Sequence, residues 1–473
     1  MTASPERAVV PLRATLSGSP PFEEGAPPLA TTARALHVDN PVVESPVHHH
    51  LASIARASKG GYSIGNSEVL DNTLPYAASR MTMAVADERR ATAGKKPTIA
   101  SRVASICAMI DEHVATETPM SASRVAAVYS MIADVANAAA EARKIGSRRR
   151  KPCQGITRRY EYEELRSLGD GSTADVTKAR HHATGHTVAL KTIREDCCSG
   201  AGYILREACF MAACHGHPAL LRLHGLARDP DTGVYSLVME CLGPSLHHVL
   251  RDRMARTGRP FPEANVRLIM RQLLSGAEEL HKNLIIHRDI KLKNILVAVD
   301  GAVKIGDYGS ALSIAGQNAD DDYWAAGTRK YCAPEMLLEK PGYDTLVDTW
   351  SLGCVMAELL TGEALFKGRC DSDQLQMIYD VFGVPGKREW KPYESSFVAD
   401  KVPVWRREQA QQRRRGQWNG NRLRELFPEE LLSKEGFQVL KGLLACNPSK
   451  RLAAAAALKL PWFAHNDDAP VGL

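Results

Sequence analysis

The stretch His287-Arg288-Asp289-Ile290-Lys291-Leu292-Lys293-Asn294, followed downstream by Asp307-Tyr308-Gly309, constrains this chain more than any other feature. It gathers two carboxylates, an amide and a lysine within a short span. Phosphoryl transfer needs that set. One carboxylate, Asp289, would receive the proton of an incoming hydroxyl, while Asn294 and Asp307 would hold magnesium against phosphate charge. Lys291 would sit beside the moving group as a compact cation where negative charge grows. Chance readily produces the His-Arg-Asp triplet alone. It does not readily produce the whole set followed by Ala333-Pro334-Glu335.

The chain upstream supplies a partner for that chemistry. Tyr160 to Leu168 leads into Gly169-Asp170-Gly171-Ser172-Thr173-Ala174-Asp175-Val176, which reads as strand, glycine-rich turn, strand. Glycines let backbone N–H groups approach a phosphate with no side chain between. Ala174 stands where a third glycine is usual, so the cradle is less pliable. Val188-Ala189-Leu190-Lys191 is an apolar strand ending in a lysine. Ile204-Leu205-Arg206-Glu207 opens a helix that continues through Phe210 and Met211. Leu237 to Gly243 reads as a strand and an extended segment suited to hydrogen-bonding a base edge.

Together these motifs resemble a eukaryotic protein kinase from about Tyr160 to Phe463. The resemblance implies an α+β, two-lobed fold, with an antiparallel-sheet small lobe (160–242) and a mainly helical large lobe (243–463). It implies ATP and Mg²⁺ as cofactors and protein hydroxyls as substrates. Lys191 would contact the α- and β-phosphates and pair with Glu207. Leu168, Val176, Ala189 and Leu296 would sandwich the adenine, Met239 would stand at the gatekeeper position, and Glu240 to Leu242 would face the base. Thr328, in Gly327-Thr328-Arg329-Lys330-Tyr331, would bridge Asp289 and Lys291, a pattern of Ser/Thr kinases.

Further motifs narrow the resemblance. Asp348-Thr349-Trp350-Ser351-Leu352-Gly353, Ala364-Leu365-Phe366-Lys367-Gly368, Asp373-Gln374-Leu375 and Phe382-Gly383-Val384-Pro385 look like cyclin-dependent kinases and their CMGC relatives. Residues 386–428 match the insert of that group, and Arg451 in Asn447-Pro448-Ser449-Lys450-Arg451 would pair with Glu335. With Leu242-Gly243-Pro244-Ser245-Leu246, the chain is similar to plant cyclin-dependent-kinase-like proteins of the F type.

Several positions depart from the pattern. The helix that cyclin grips in that family reads Pro-Ser-Thr-Ala-Ile-Arg-Glu; here only Arg206-Glu207 survives, which argues against dependence on a cyclin or a similar activating partner. Cys332 replaces an arginine, weakening the expectation of proline-directed specificity. Tyr308 replaces phenylalanine and adds a hydroxyl that needs a partner. Leu292 replaces a proline. The activating phosphothreonine position falls near Tyr323, and Asp320, Asp321 and Asp322 before it are candidates to pair with Arg288 in place of phosphate. Ser172 and Thr173 stand where inhibitory phosphorylation occurs in cell-cycle relatives. These departures keep open a pseudokinase or scaffold that binds partners without phosphorylating them.

Outside the kinase-like region the chain is less specific. Residues 1–97 are Pro-, Ala-, Ser- and Thr-rich, include His48-His49-His50, and are expected to be a disordered low-complexity extension. Across 98–157, Ile99, Val103, Ile106 and Ile110, then Val125, Val128, Met131, Ile132 and Val135, recur at helical spacing, with Pro119 and Ser121 between them. A helical hairpin is expected, an Ala-rich spacer rather than an interaction module, then a basic linker, Arg148-Arg149-Arg150-Lys151, that would suit nuclear import or an anion-binding patch. Residues 464–473 form a short tail. The odd cysteine count, 11, without a CxxC pair favours reduced intracellular thiols, so a nuclear or cytoplasmic location is expected. No apolar run approaches the roughly 18 residues a membrane span requires. The net charge of +6 and the Arg406-Arg407 and Arg413-Arg414-Arg415 runs, near Trp405 and Trp418, do not make a nucleic-acid site.

Overall fold

The computed structural model describes residues 97–114, 120–143, 155–170, 174–194, 200–315, 327–340, 342–386, 401–416 and 420–464, with the side chain of Asp170 left aside. Expectations for 1–96, Arg148 to Lys151, Gly171 to Thr173, Asp320 to Tyr323, Trp418 and the tail 465–473 lie outside the described residues.

Two helices come first, α1 (Ile99–Val114) and α2 (Ala122–Ala142). Ser121 caps α2, its hydroxyl accepting from the Arg124 N–H. Val103, Ile106 and Ile110, and Val125, Val128, Ile132 and Val135, are buried. Met131 is 40% exposed, and Tyr129 takes the inward place instead. The α-helical period puts positions 125, 128, 129 and 132 on one stripe and leaves 131 at its edge.

Strands β1 (Ile156–Arg158), β2 (Tyr162–Asp170), β3 (Ala174–His181), β4 (Thr187–Ile193), β5 (Leu223–Arg228) and β6 (Tyr235–Glu240) form one sheet in the order β1-β5-β6-β4-β3-β2. All neighbours are antiparallel except β1 and β5. β4 sits between β3 and β6 with Lys191 opposite Val176 on one side and Leu237 on the other. Helix α3 (Gly200–Ala213) lies between β4 and β5 in the chain and is buried along most of its length. The α1/α2 pair packs directly against α3 and shares its apolar core. This differs from the expected spacer: the stripe is covered by α3, and the pair is part of the packed structure.

The helical lobe follows with α4 (Leu246–Thr257) and the long α5 (Glu263–Lys282). Short strands β7 (Ile285–Ile286), β8 (Ile295–Val297), β9 (Val303–Ile305) and β10 (Leu312–Ser313) pair as β7 with β10 and β8 with β9. They carry the acidic motifs on the loops between them. Beyond α6 (Pro334–Leu337), helix α7 (Leu346–Thr361) is buried along most of its length. Trp350 stacks on Phe366 with centroids 6.1 Å apart, and the Arg451 guanidinium lies over Trp350 at 5.2 Å. Helix α8 (Asp371–Phe382) and the insert helix α9 (Val402–Arg414) complete this side. Trp405 is buried against Tyr379 and Arg406 donates to the Pro385 carbonyl, so neither offers a platform to stack on.

The Arg451–Glu335 pair forms as expected, with Nη1–Oε1 at 2.5 Å, Nη2–Oε2 at 2.9 Å and both side chains almost wholly buried. Arg451 also donates to the carbonyls of Ala445, Leu346 and Cys446. Removing one buried partner leaves an uncompensated charge. Glu335→Ala should therefore lose about 3–5 kcal/mol, read from urea denaturation midpoints.

Just past α3, burial pulls the His215 imidazole down to about 4, helped by Arg222. The unfolded chain takes up that proton below about pH 6.5 and the folded chain does not. The contribution is therefore complete above about 6.5 and declines as pH falls toward 4, by at most about 1.4 kcal/mol per pH unit. His215→Gln should flatten the difference in unfolding free energy between pH 7 and pH 5 relative to the parent.

Candidate active site

The two motif clusters converge where β4, α3 and the loops after β7 and β9 face one another. Lys191 Nζ reaches Glu207 Oε1 at 2.8 Å and Oε2 at 2.9 Å, and Asp307 Oδ1 at 2.6 Å. Burial would lower the Lys191 pKa, but the Glu207 and Asp307 carboxylates outweigh it and hold the ammonium above its usual range. Burial likewise works against the Asp307 carboxylate, and Lys191 overrides it, keeping the group below its usual range. The cation and Asp307 are thus both charged at neutral pH.

Around Asp289 the contacts close a small ring. Lys291 Nζ lies 2.7 Å from Asp289 Oδ2 and 2.9 Å from Thr328 Oγ1, and Thr328 donates to Asp289 Oδ1 at 2.8 Å. Asn294 Nδ2 donates to the Asp289 carbonyl at 2.9 Å and to Oδ2 at 3.0 Å. The amide oxygen of Asn294 is the atom left to serve a cation. The backbone is bent to allow this, with φ of 65° at Arg288 and 61° at Asp307. Non-glycine residues persist there only where surrounding contacts hold them.

Asp348, in the first turn of α7, is one of those contacts. Its buried carboxylate accepts from the N–H groups of His287 and Arg288 at 2.9 Å each and meets His281 Nε2 at 3.0 Å. His287 Nε2 lies 3.0 Å from the Gly306 carbonyl, tying the loop to the turn before Asp307. Gly327 has φ of +91°, and a β-carbon there would lie 2.4 Å from the Arg288 carbonyl oxygen. Only glycine lets Thr328 approach Asp289 this closely. The motif reading missed Asp348 and Gly327 as supports. The one available signal was an acidic residue at a helix start, two positions before Trp350.

Other expected site residues fall as follows. Ala189 is buried, Val176, Leu242 and Leu296 are half-buried, and Leu168 and Gly169 lie exposed at the end of β2. Ala174 is buried at the start of β3, opposite Ile193. The Glu240 carboxylate is held by Lys304 Nζ at 2.8 and 2.9 Å and accepts from the Arg222 N–H, so its side chain is committed to the fold. Arg288 donates through Nε to the Ser310 carbonyl at 2.6 Å and through Nη1 to the Tyr343 hydroxyl at 3.4 Å. Cys332 is buried and its thiol is pushed up to about 12, chiefly by burial, so it carries no charge in place of the missing arginine.

Residues 162–463 match the protein kinase domain family. The chain belongs to this family. It is 42% identical over 315 residues to a protein of Oryza sativa subsp. japonica carrying the provisional name cyclin-dependent kinase F-2, covering 65% of this chain and 91% of that one. Cyclin-dependent kinase G1 of Arabidopsis thaliana is 36% identical over 317 residues, 64% of this chain and 49% of its own length. Cyclin-dependent kinase C-2 C of the same plant is 32% identical over 304 residues, 64% and 44% respectively. The chain thus spans under half the length of the G- and C-type relatives. It is a Ser/Thr protein kinase of the CMGC group, with its likeness among the plant cyclin-dependent kinases.

Tyr308 shows how this member tolerates its substitution. The ring packs beside His287, 5.3 Å between centroids, and its N–H donates to Glu207 Oε1 at 3.2 Å. The side chain is buried, and its hydroxyl finds no hydrogen-bond partner among the described residues. Burial, then the nearby Cys214 and Glu207, push the phenol well above its usual range. Removing a buried, unpaired hydroxyl removes a desolvation cost. Tyr308→Phe should leave stability unchanged or raise it by about 1 kcal/mol, whereas a thermal midpoint several degrees lower would mean that the hydroxyl is bonded.

Proposed function

We propose that this chain is a catalytically active kinase that transfers the γ-phosphoryl group of ATP to Ser and Thr hydroxyls of proteins. The observation that carries the reading is the closed set of polar contacts: Lys191 on Glu207, and Asp289, Lys291, Asn294 and Thr328 joined in one ring. Asn294 and Asp307 have the oxygen donors that Mg²⁺ prefers. Bound there, the metal would neutralise phosphate charge; Lys191 would orient the α- and β-phosphates. Gly169, Asp170, Gly171, Ser172, Thr173 and Ala174 would cover the phosphates. Leu168, Val176, Ala189 and Leu296 would enclose the base, while Glu240 and Leu242 would meet it through their main chain.

In the reaction itself, Asp289 would accept a hydrogen bond from the incoming hydroxyl and take its proton as the bond to phosphorus forms. Lys291 would counter the charge on the transferred group. Thr328, bonded to both, holds their separation. The catalytic unit would comprise the lobes 160–242 and 243–463. An intracellular site of action, with import through Arg148 to Lys151, belongs to the same proposal. Of the departures that suggested a silent kinase, Ala174, Tyr308 and Leu292 sit beside these polar groups without replacing any of them, and the altered activation loop lies outside the described residues.

Asp289→Asn separates the readings. Phosphate incorporation into a Ser/Thr peptide library should fall at least about a hundredfold, with nucleotide affinity changed only a few-fold. Turnover that survives this change would remove Asp289 from the chemistry. The same library reads the residue after the target hydroxyl; with Cys332 uncharged, a strong requirement for proline is not expected.

A further inference from the structure

The α1/α2 hairpin does more than cover apolar surface, because of where it touches. The first turn of α3 meets α1 through Gly202: a β-carbon there would lie 2.8 Å from Val114 Cγ2 and 3.5 Å from Ile110 Cγ2. One residue before Glu207, Arg206 forms an ion pair with Asp111 of α1. On the next turn, the buried Cys209 faces the thiol of Cys107. Residues before, beside and after Glu207 are therefore gripped by one helix. α1 also packs against β10, directly after the Asp307-Tyr308-Gly309 turn.

The hairpin is anchored at its far end as well. Arg143, which caps α2, forms an ion pair with Glu279 of α5 and donates to the His215 carbonyl. α2 packs along α3 beside α1. The pair thus spans from the helix that carries Glu207 to the long helix of the other lobe. It does so in a structure where Glu207 is seated on Lys191.

We propose that α1 and α2 are an intramolecular positioning element that holds α3 with Glu207 on Lys191, taking the role of a separate activating subunit. α3 can shift away from the sheet only by breaking contacts with α1. A second protein seeking the same face of α3 would have to displace the chain's own hairpin. Of the seven positions by which the family's cyclin-gripped helix is known, only Arg206 and Glu207 are kept here. Arg206 is committed within the chain to Asp111, and Glu207 to Lys191. The proposal deepens the kinase reading and rests on it for its effect on rate, whereas the hold on α3 stands independently.

The test uses the full chain. Ile106→Asp/Ile110→Asp places charges in the stripe that faces α3. Hydrogen exchange at amides of 200–213 should rise at least tenfold, exchange in 346–361 should stay as in the parent, and turnover without any added protein should fall at least tenfold. Should that variant fail to fold, Asp111→Arg opposes Arg206 with a like charge and should slow turnover several-fold. Adding Arg206→Asp to it should restore the rate. Unchanged exchange at 200–213, or a rate that holds or rises as exchange increases, would overturn the proposal. A parent chain that turns over no ATP would instead overturn the kinase reading, and the exchange comparison would still decide whether the hairpin holds α3.

Discussion

The Lys191–Glu207 ion pair is the contact on which the rest of this structure depends. Its cation comes from the middle of the sheet and its anion from α3, and both lie out of water. Desolvating two charges is offset only when they meet at close range with their remaining hydrogen-bond capacity filled. Here Asp307 and the Tyr308 N–H complete the set, so the pair also ties the acidic turn of the large lobe to the small lobe. Strand, helix and loop must each be in place for any of them to be.

Much of the site could be read before any coordinates because its chemistry demands particular side chains at particular spacings. Asp289, Lys291, Asn294 and Thr328 lie within hydrogen-bond reach of one another, and Asp307 pairs with Lys191, residues that their motifs had singled out. The supports were harder to see. Asp348 binds backbone N–H groups, which carry no residue identity, and so no partner in the sequence points back to it. Gly327 matters through the carbonyl of Arg288, a contact with the same anonymity. Glu240 was read only through its main chain at the base edge; that its carboxylate is held by Lys304, distant in sequence, left no trace in the motif.

The helical hairpin shows a different limit. Apolar periodicity announces that a stripe is buried and approximately where it runs, which is how α1 and α2 were placed. It does not say what buries it. The covering surface is α3, which begins at Gly200 while α1 begins at Ile99, and its own pattern was equally apolar on several sides. Only the fold reveals that the two unmatched faces answer each other. Met131 and Tyr129 show the finer version of the same limit, where one step along the helix decides between solvent and core.

The anchorage of Arg143 on Glu279 bears on how this molecule breathes. Enzymes of two lobes admit reactants and discharge products by hinging, and the amplitude of the swing is normally set by the connecting strand alone. Here a second tether runs from α2, packed on α3, to α5 of the other lobe, and it ends in a guanidinium–carboxylate clasp. Wide gaping of the crevice stretches that clasp. With its side chains only 17% and 20% exposed, the clasp is largely shielded from screening ions, so opening has to break the pair itself.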